Sequence, residues 1–223
     1  MSPVTMTFPP LALLGLGLVL GVRHAADPDH VVAIGAIAAR TRRVWPATLL
    51  GIVWGLGHTL TLFTVASGII LFKWVVPPRL GLTMEFCVAI ALVILGGVNL
   101  LAHTHDSADA SRTTGPLRAF VVGIVHGLAG SAAVALLVVA TVSEPLWACA
   151  YLLTFGVGTL VGMTVITTGI AVPIATATHR WRGSDQLVRI ATGSMSIAMG
   201  IWIAYDIGWN DGLFLAVATW TPH

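Results

Sequence analysis

Six long apolar stretches separated by polar connectors organise the chain. They run over roughly residues 11–39, 46–72, 83–102, 118–141, 146–175 and 187–205. The connectors are Arg40–Trp45, Lys73–Arg79, His103–Pro116, Val142–Pro145 and His179–Asp185. A helix needs about 20 apolar residues to cross a bilayer. The pattern therefore predicts an all-α membrane protein with six transmembrane helices. The tail from Asp206 carries Asn210 and Asp211 before an apolar run too short for a seventh span.

Composition agrees with the pattern. The chain is 57% hydrophobic and only 9% charged, against about 25% charged in a soluble domain. Residues 1–223 are read as one polytopic membrane domain, with the lipid bilayer as partner and no role for nucleic acid. Residues 1–10 hold no Lys or Arg, so the first stretch reads as a retained span rather than a cleaved signal peptide. Cys87 and Cys149 lie in apolar segments without a CxxC and read as small buried hydrophobes. Small residues four apart (Gly17 and Gly21, Gly51 and Gly55, Gly123 and Gly127, Gly158 and Gly162) read as helix-packing seams.

Charge sets the expected orientation. Loops on one side, with their flanks, carry Arg40, Arg42, Arg43, Arg112, Arg118, Arg180, Arg182 and Arg189, whereas the other side has Lys73 and Arg79. The positive-inside rule puts the first group in the cytoplasm and both termini outside, as expected of a multi-pass inner-membrane protein.

The chain also repeats itself. Gly21-Val22-Arg23-His24 aligns with Gly123-Ile124-Val125-His126, and Gly55-Leu56-Gly57-His58 with Gly156-Val157-Gly158-Thr159. Ser67-Gly68-Ile69 aligns with Thr168-Gly169-Ile170, and Gly97 less closely with Gly200. Halves of roughly 11–102 and 118–205 would each hold three spans. An odd number inverts the second half relative to the first, giving an inverted 3+3 repeat with its binding site at the repeat interface.

The chemistry concentrates in Arg23-His24-Ala25-Ala26-Asp27-Pro28-Asp29-His30. Leu11–Val22 before it and Val31–Ala39 after it are each too short to span alone, so the motif sits at depth. A central Asp or Arg costs roughly 2.5–3.5 kcal/mol. Arg23 can offset one carboxylate, and a bound divalent cation can offset the rest. Pro28 cannot donate to the His24 carbonyl, so the first helix is expected to break inside the motif. His24, Asp27 and His30 would spread over about 240° of a regular helix, and a break can gather them. Mixed imidazole and carboxylate ligation favours Ni²⁺, Co²⁺ or Zn²⁺ over an all-oxygen ion. His58, mid-span, and His126, the repeat partner of His24, complete the expected metal set of His24, Asp27, Asp29, His30, His58 and His126. Asn99 is a weaker candidate that also suits a helix-to-helix hydrogen bond. The polar loop His103-Thr104-His105 is read as either a solvated loop or a collecting site at the inner mouth.

The run His24-x4-Asp29-His30 resembles the signature of the nickel/cobalt transporter family. Leu56-Gly57-His58-Thr59 resembles that family's next histidine motif. His126-Gly127-Leu128-Ala129-Gly130-Ser131-Ala132 looks like the shorter, urease-accessory-type nickel permeases. The resemblance implies a secondary permease for Ni²⁺ or Co²⁺ in which His24, Asp29, His30 and His58 are critical. The larger members have eight spans and acidic motifs in later helices; here His126 and small hydroxyl residues stand in their place. No Walker motif is present, and the chain is read as a non-enzyme without a cofactor, the metal being its cargo. A membrane potential supplies about 4.6 kcal/mol per 100 mV for two charges. A cytoplasmic metal acceptor remains open as a partner. Competing readings are a haem-binding redox protein, metal efflux, an exporter of sulfur anions or amino acids, and a scaffold.

Overall fold

A computed structural model describes residues 9–41, 43–72, 77–101, 115–128, 142, 144–180 and 184–219. Arg42, Lys73, the His103/His105 loop, Arg112, Ala129 to Ala132 and Arg182 lie outside these residues. Seven α-helices are present among the described residues. They are α1 (Pro10–His24), α2 (Pro28–Thr41), α3 (Val44–Phe72), α4 (Pro78–Leu101), α5 (Pro116–Gly127), α6 (Pro145–Arg180) and α7 (Ser184–Tyr205). A π-helical turn, Asp206–Asn210, follows α7.

Five of the seven helices open on a proline. At the first helical position its missing N–H leaves nothing unpaired and its ring presets φ. Pro28 acts in this way: it begins α2 after the turn Ala25–Asp27 rather than kinking a continuous helix. The two helices meet at 56°.

Four helices are long and apolar enough to cross a membrane, and five spans result if the bent α1–α2 pair counts as one. The chain is a multi-pass membrane protein. The fifth predicted stretch extends on both sides, from 146–175 to a 36-residue helix. At 1.5 Å per residue this is about 54 Å, longer than the ~30 Å hydrocarbon layer. The fourth stretch is seen only as α5, because 129–141 lie outside the described residues.

The helices pair tightly as α1 with α6, α4 with α7, and α3 with both α5 and α6. The glycine seams explain the closeness. A methyl group added at Gly21 would strike the Phe155 carbonyl, and one at Gly158 the Leu18 carbonyl. Between α3 and α5, added carbons would likewise strike the Trp54 carbonyl from Gly123 and the Phe120 carbonyl from Gly57. Backbone therefore lies on backbone along both seams.

At the centre is α2, with His30 and every residue from Val32 to Ala39 buried. Its apolar side chains form the main core with Trp54, Leu92 and Met163. Outward, Leu18, Leu56, Ile94, Val161 and Ile201 are exposed, as suits a bundle whose outer surface faces lipid. Cys87 is exposed and Cys149 only half-buried, which corrects the buried reading of both.

Asn99 proves to be a tie between helices. Its Nδ2 donates to Thr192 Oγ1 at 2.9 Å. The buried Arg189 guanidinium donates to the Asn99 backbone carbonyl through Nε and Nη2, both at 3.3 Å. These bonds hold the end of α4 against α7. Asn99→Ala is expected to cost about 1 kcal/mol, within the range for interhelical hydrogen bonds in membranes. It should lower the unfolding temperature in detergent; an unfolding temperature equal to wild type would dismiss the tie.

Candidate metal site

The break between α1 and α2 builds the site. His24 is the last residue of α1, and His30 lies in the first turn of α2. The turn brings the two imidazoles to 4.8 Å between centroids, edge to face. From the middle of α3, His58 reaches within 5.2 Å of His24 and 4.9 Å of His30.

Each histidine of the motif is oriented by its own aspartate. His24 Nδ1 donates to Asp27 Oδ2 at 2.8 Å, and His30 Nδ1 to Asp29 Oδ1 at 3.1 Å. A carboxylate on Nδ1 fixes the tautomer and leaves the Nε2 lone pair free to accept a proton or a metal. Consistent with this, His24 Nε2 lies 3.0 Å from His58 Nε2. With His24 Nε2 as acceptor, His58 donates and its own Nδ1 remains without a partner. Among the described residues His30 Nε2 also has no partner, although His30 is fully buried. A buried polar atom left unpaired costs about 1–3 kcal/mol, so this cluster lacks a group that accepts its lone pairs.

Two sets of potential ligand atoms result. His24, His30 and His58 present atoms within 4.8 Å of one another, and so do Asp27, Asp29 and His30. His30 belongs to both. His126, at the end of α5, lies outside these sets, with its ring 5.6 Å from His30. Among the described residues neither of its nitrogens makes a hydrogen bond. All four histidines are buried, whereas Asp27 and Asp29 are partly exposed.

Arg23 departs from expectation. It is exposed on α1, and among the described residues both aspartates of the motif pair with histidines instead. Trp54 was not singled out by the sequence reading. It is fully buried, its ring lies 5.5 Å from His30 and 5.3 Å from His126, and its Nε1 has no partner among the described residues. Its spacing of four before His58 places both on one face of α3, a signal the sequence did contain.

Comparison with known proteins settles the kinship. A family model described as high-affinity nickel-transport protein matches residues 11–105. The urease accessory protein UreH of Bacillus sp. (strain TB-90) is 36% identical, with the match covering 92% of this chain and 95% of that protein. The chain belongs to the high-affinity nickel-transport family. No solved structure matches it. The family match takes in α1 to α4, and with them His24, Asp27, Asp29, His30 and His58, while His126 lies beyond it. Membership makes the chain a transporter rather than an enzyme and sets the haem reading aside.

Proposed function

We propose that the protein is a secondary permease that carries Ni²⁺, and the chemically similar Co²⁺, across the inner membrane through a site of His24, His30 and His58. The observation that carries this is the buried set of imidazoles, two of them fixed at Nδ1 by carboxylates. It is an arrangement suited to borderline-soft divalent ions. Asp27 and Asp29 then act first on the histidines, and through their remaining oxygens on the ion. His126 serves as the inner boundary of the same site.

The architecture proposed is six spans in an inverted 3+3 repeat over a single domain, 1–223. Support comes from the seams, which correspond in pairs. Gly21 against Phe155 matches Gly123 against Trp54, and Gly158 against Leu18 matches Gly57 against Phe120, with equivalent residues about 101–102 apart. In the third pair of helices, Gly96 abuts the Gly193 carbonyl and Gly200 the Ala89 carbonyl, while Gly97 meets open space. The partner of Gly200 is thus better taken as Gly96 than Gly97. With Arg40, Arg43 and Arg180 inside, the termini face outward. A cytoplasmic acceptor would take the ion on release.

The test is uptake of radioactive nickel into proteoliposomes under an inside-negative potential. Uptake should saturate, rise with the potential, be competed by Co²⁺ and be indifferent to a large excess of Mg²⁺. His58→Ala should weaken it by more than the roughly tenfold that loss of an outer-shell partner costs, since the imidazole is itself a proposed ligand. Competition by Mg²⁺ equal to that by Co²⁺ would be incompatible with an imidazole site.

A further inference from the structure

Two buried aromatic rings close on the histidine cluster. The Phe155 ring, on α6, lies 5.5 Å from His24, and the Trp54 ring, on α3, lies 5.3 Å from His126. His30 stands between, in ring contact with both histidines. Trp54 and Phe155 are 101 residues apart and His24 and His126 are 102 apart, the offsets of the repeat. Trp54 is 0% exposed and Phe155 3%.

Both contacts join one half of the chain to the other. Gly21, three residues before His24, abuts the Phe155 carbonyl, and Gly123, three before His126, abuts the Trp54 carbonyl. A glycine, the histidine that ends a helix and an aromatic ring from the opposite half thus form one unit that occurs twice. The two units face opposite ways. Trp54 lies ten residues from Val44, the start of α3, and Phe155 ten residues from Pro145, the start of α6. Each is therefore about 15 Å along its helix. With Arg43 inside, α3 starts at the cytoplasmic face and α6 at the outer face. Trp54 is then one turn to the cytoplasmic side of His58. Beyond each ring the packing is apolar. Tyr151, a turn nearer the outside, meets Phe155 at 6.4 Å together with Leu13 and Leu62, and Leu50 and Ile37 share the core of Trp54.

We propose that Phe155 and Trp54 are the paired gates of the permease. Phe155 closes the histidine cluster to the outside, and Trp54 closes it to the cytoplasm. The inference rests on the permease reading and its inverted repeat. Hydrophobic constrictions gate by shedding water, which a charged ion needs until ligands replace it. Because both rings bear on the opposite half, rocking one half against the other parts one ring from its histidine while the other stays seated. The gates thus open by turns, and the ion never faces both sides at once.

The test reads water access to the cluster and needs no nickel. His58→Cys in a Cys87→Ser, Cys149→Ser background places a single thiol in the cluster. A charged, membrane-impermeant thiol reagent is applied to right-side-out and to inverted membrane vesicles. Adding Trp54→Ala should speed labelling at least about tenfold in inverted vesicles alone, and Phe155→Ala should do so in right-side-out vesicles alone, as expected of removing a hydrophobic constriction. Trp54→Phe keeps a ring and should label at the parent rate from both sides. Large-to-small core changes also destabilise, so Trp54→Leu and Phe155→Leu carry the same expectations wherever an alanine variant does not elute as a single species. Any other pattern, including faster labelling from both sides after one change, overturns the paired gates and leaves the permease standing. Wild-type vesicles that move no nickel sink the permease reading, while labelling still reports on the two rings.

Discussion

His30→Ala should abolish nickel uptake, by a hundredfold or more, with a larger effect than any other single change in the site. His30 is the residue common to both ligand sets, so its removal leaves neither an oxygen-rich nor a nitrogen-rich set intact. Disturbing an outer-shell partner of a metal ligand costs 10–100-fold, and loss of the ligand itself costs more. Asp29→Asn should be milder, about ten- to a hundredfold, because an amide oxygen can still accept from His30 Nδ1 while the charge is lost. His30 also touches Trp54, so each variant must elute as a single species in detergent and retain its helical circular dichroism. Uptake by folded His30→Ala within threefold of wild type, or an Asp29→Asn defect larger than that of His30→Ala, would put the ion's path elsewhere.

The second large effect concerns folding. Gly123→Val and Gly21→Val should each leave little or no monodisperse protein, because the new Cβ meets a carbonyl of the opposing helix rather than a side chain that can turn away. Overpacking against side chains typically costs about 1–3 kcal/mol; against backbone the helices must separate, and the cost lies at or above the top of that range. Gly15→Ala and Gly97→Ala are the controls, since nothing lies within 4 Å of either added carbon. They should match or exceed wild type, because Ala is the better helix former. Size-exclusion profiles and thermal unfolding of the four variants check this. Equal behaviour of Gly123→Val and Gly97→Ala would dismiss the seams as determinants of the fold.

Much of this was legible in the chain, and for identifiable reasons. The break between α1 and α2 followed from Pro28, because backbone chemistry alone demands it. Gly17, Gly21, Gly158 and Gly162 announced a seam, although nothing local revealed that the two pairs face one another across α1 and α6. The pairing of Asp27 and Asp29 with His24 and His30 rather than Arg23 was not legible. It depends on which way the turn Ala25–Asp27 swings the side chains, and a sequence carries no such angle. A cavity lined by both Glu85 and Asp211, over a hundred residues apart, was hidden for a similar reason, since it forms only where α4 packs against α7.

The pairing of α1 with α6 has a consequence for the birth of the protein. The α1–α2 segment, with Asp27 and Asp29, leaves the ribosome more than a hundred residues ahead of the helix that covers α1. At 5–20 residues per second, that interval is on the order of ten seconds. Throughout it a polar, broken segment must wait at the translocon or at the membrane surface. A segment made well before its partner is thus among the last to find its place, and its retention by the insertion machinery becomes a requirement for assembly.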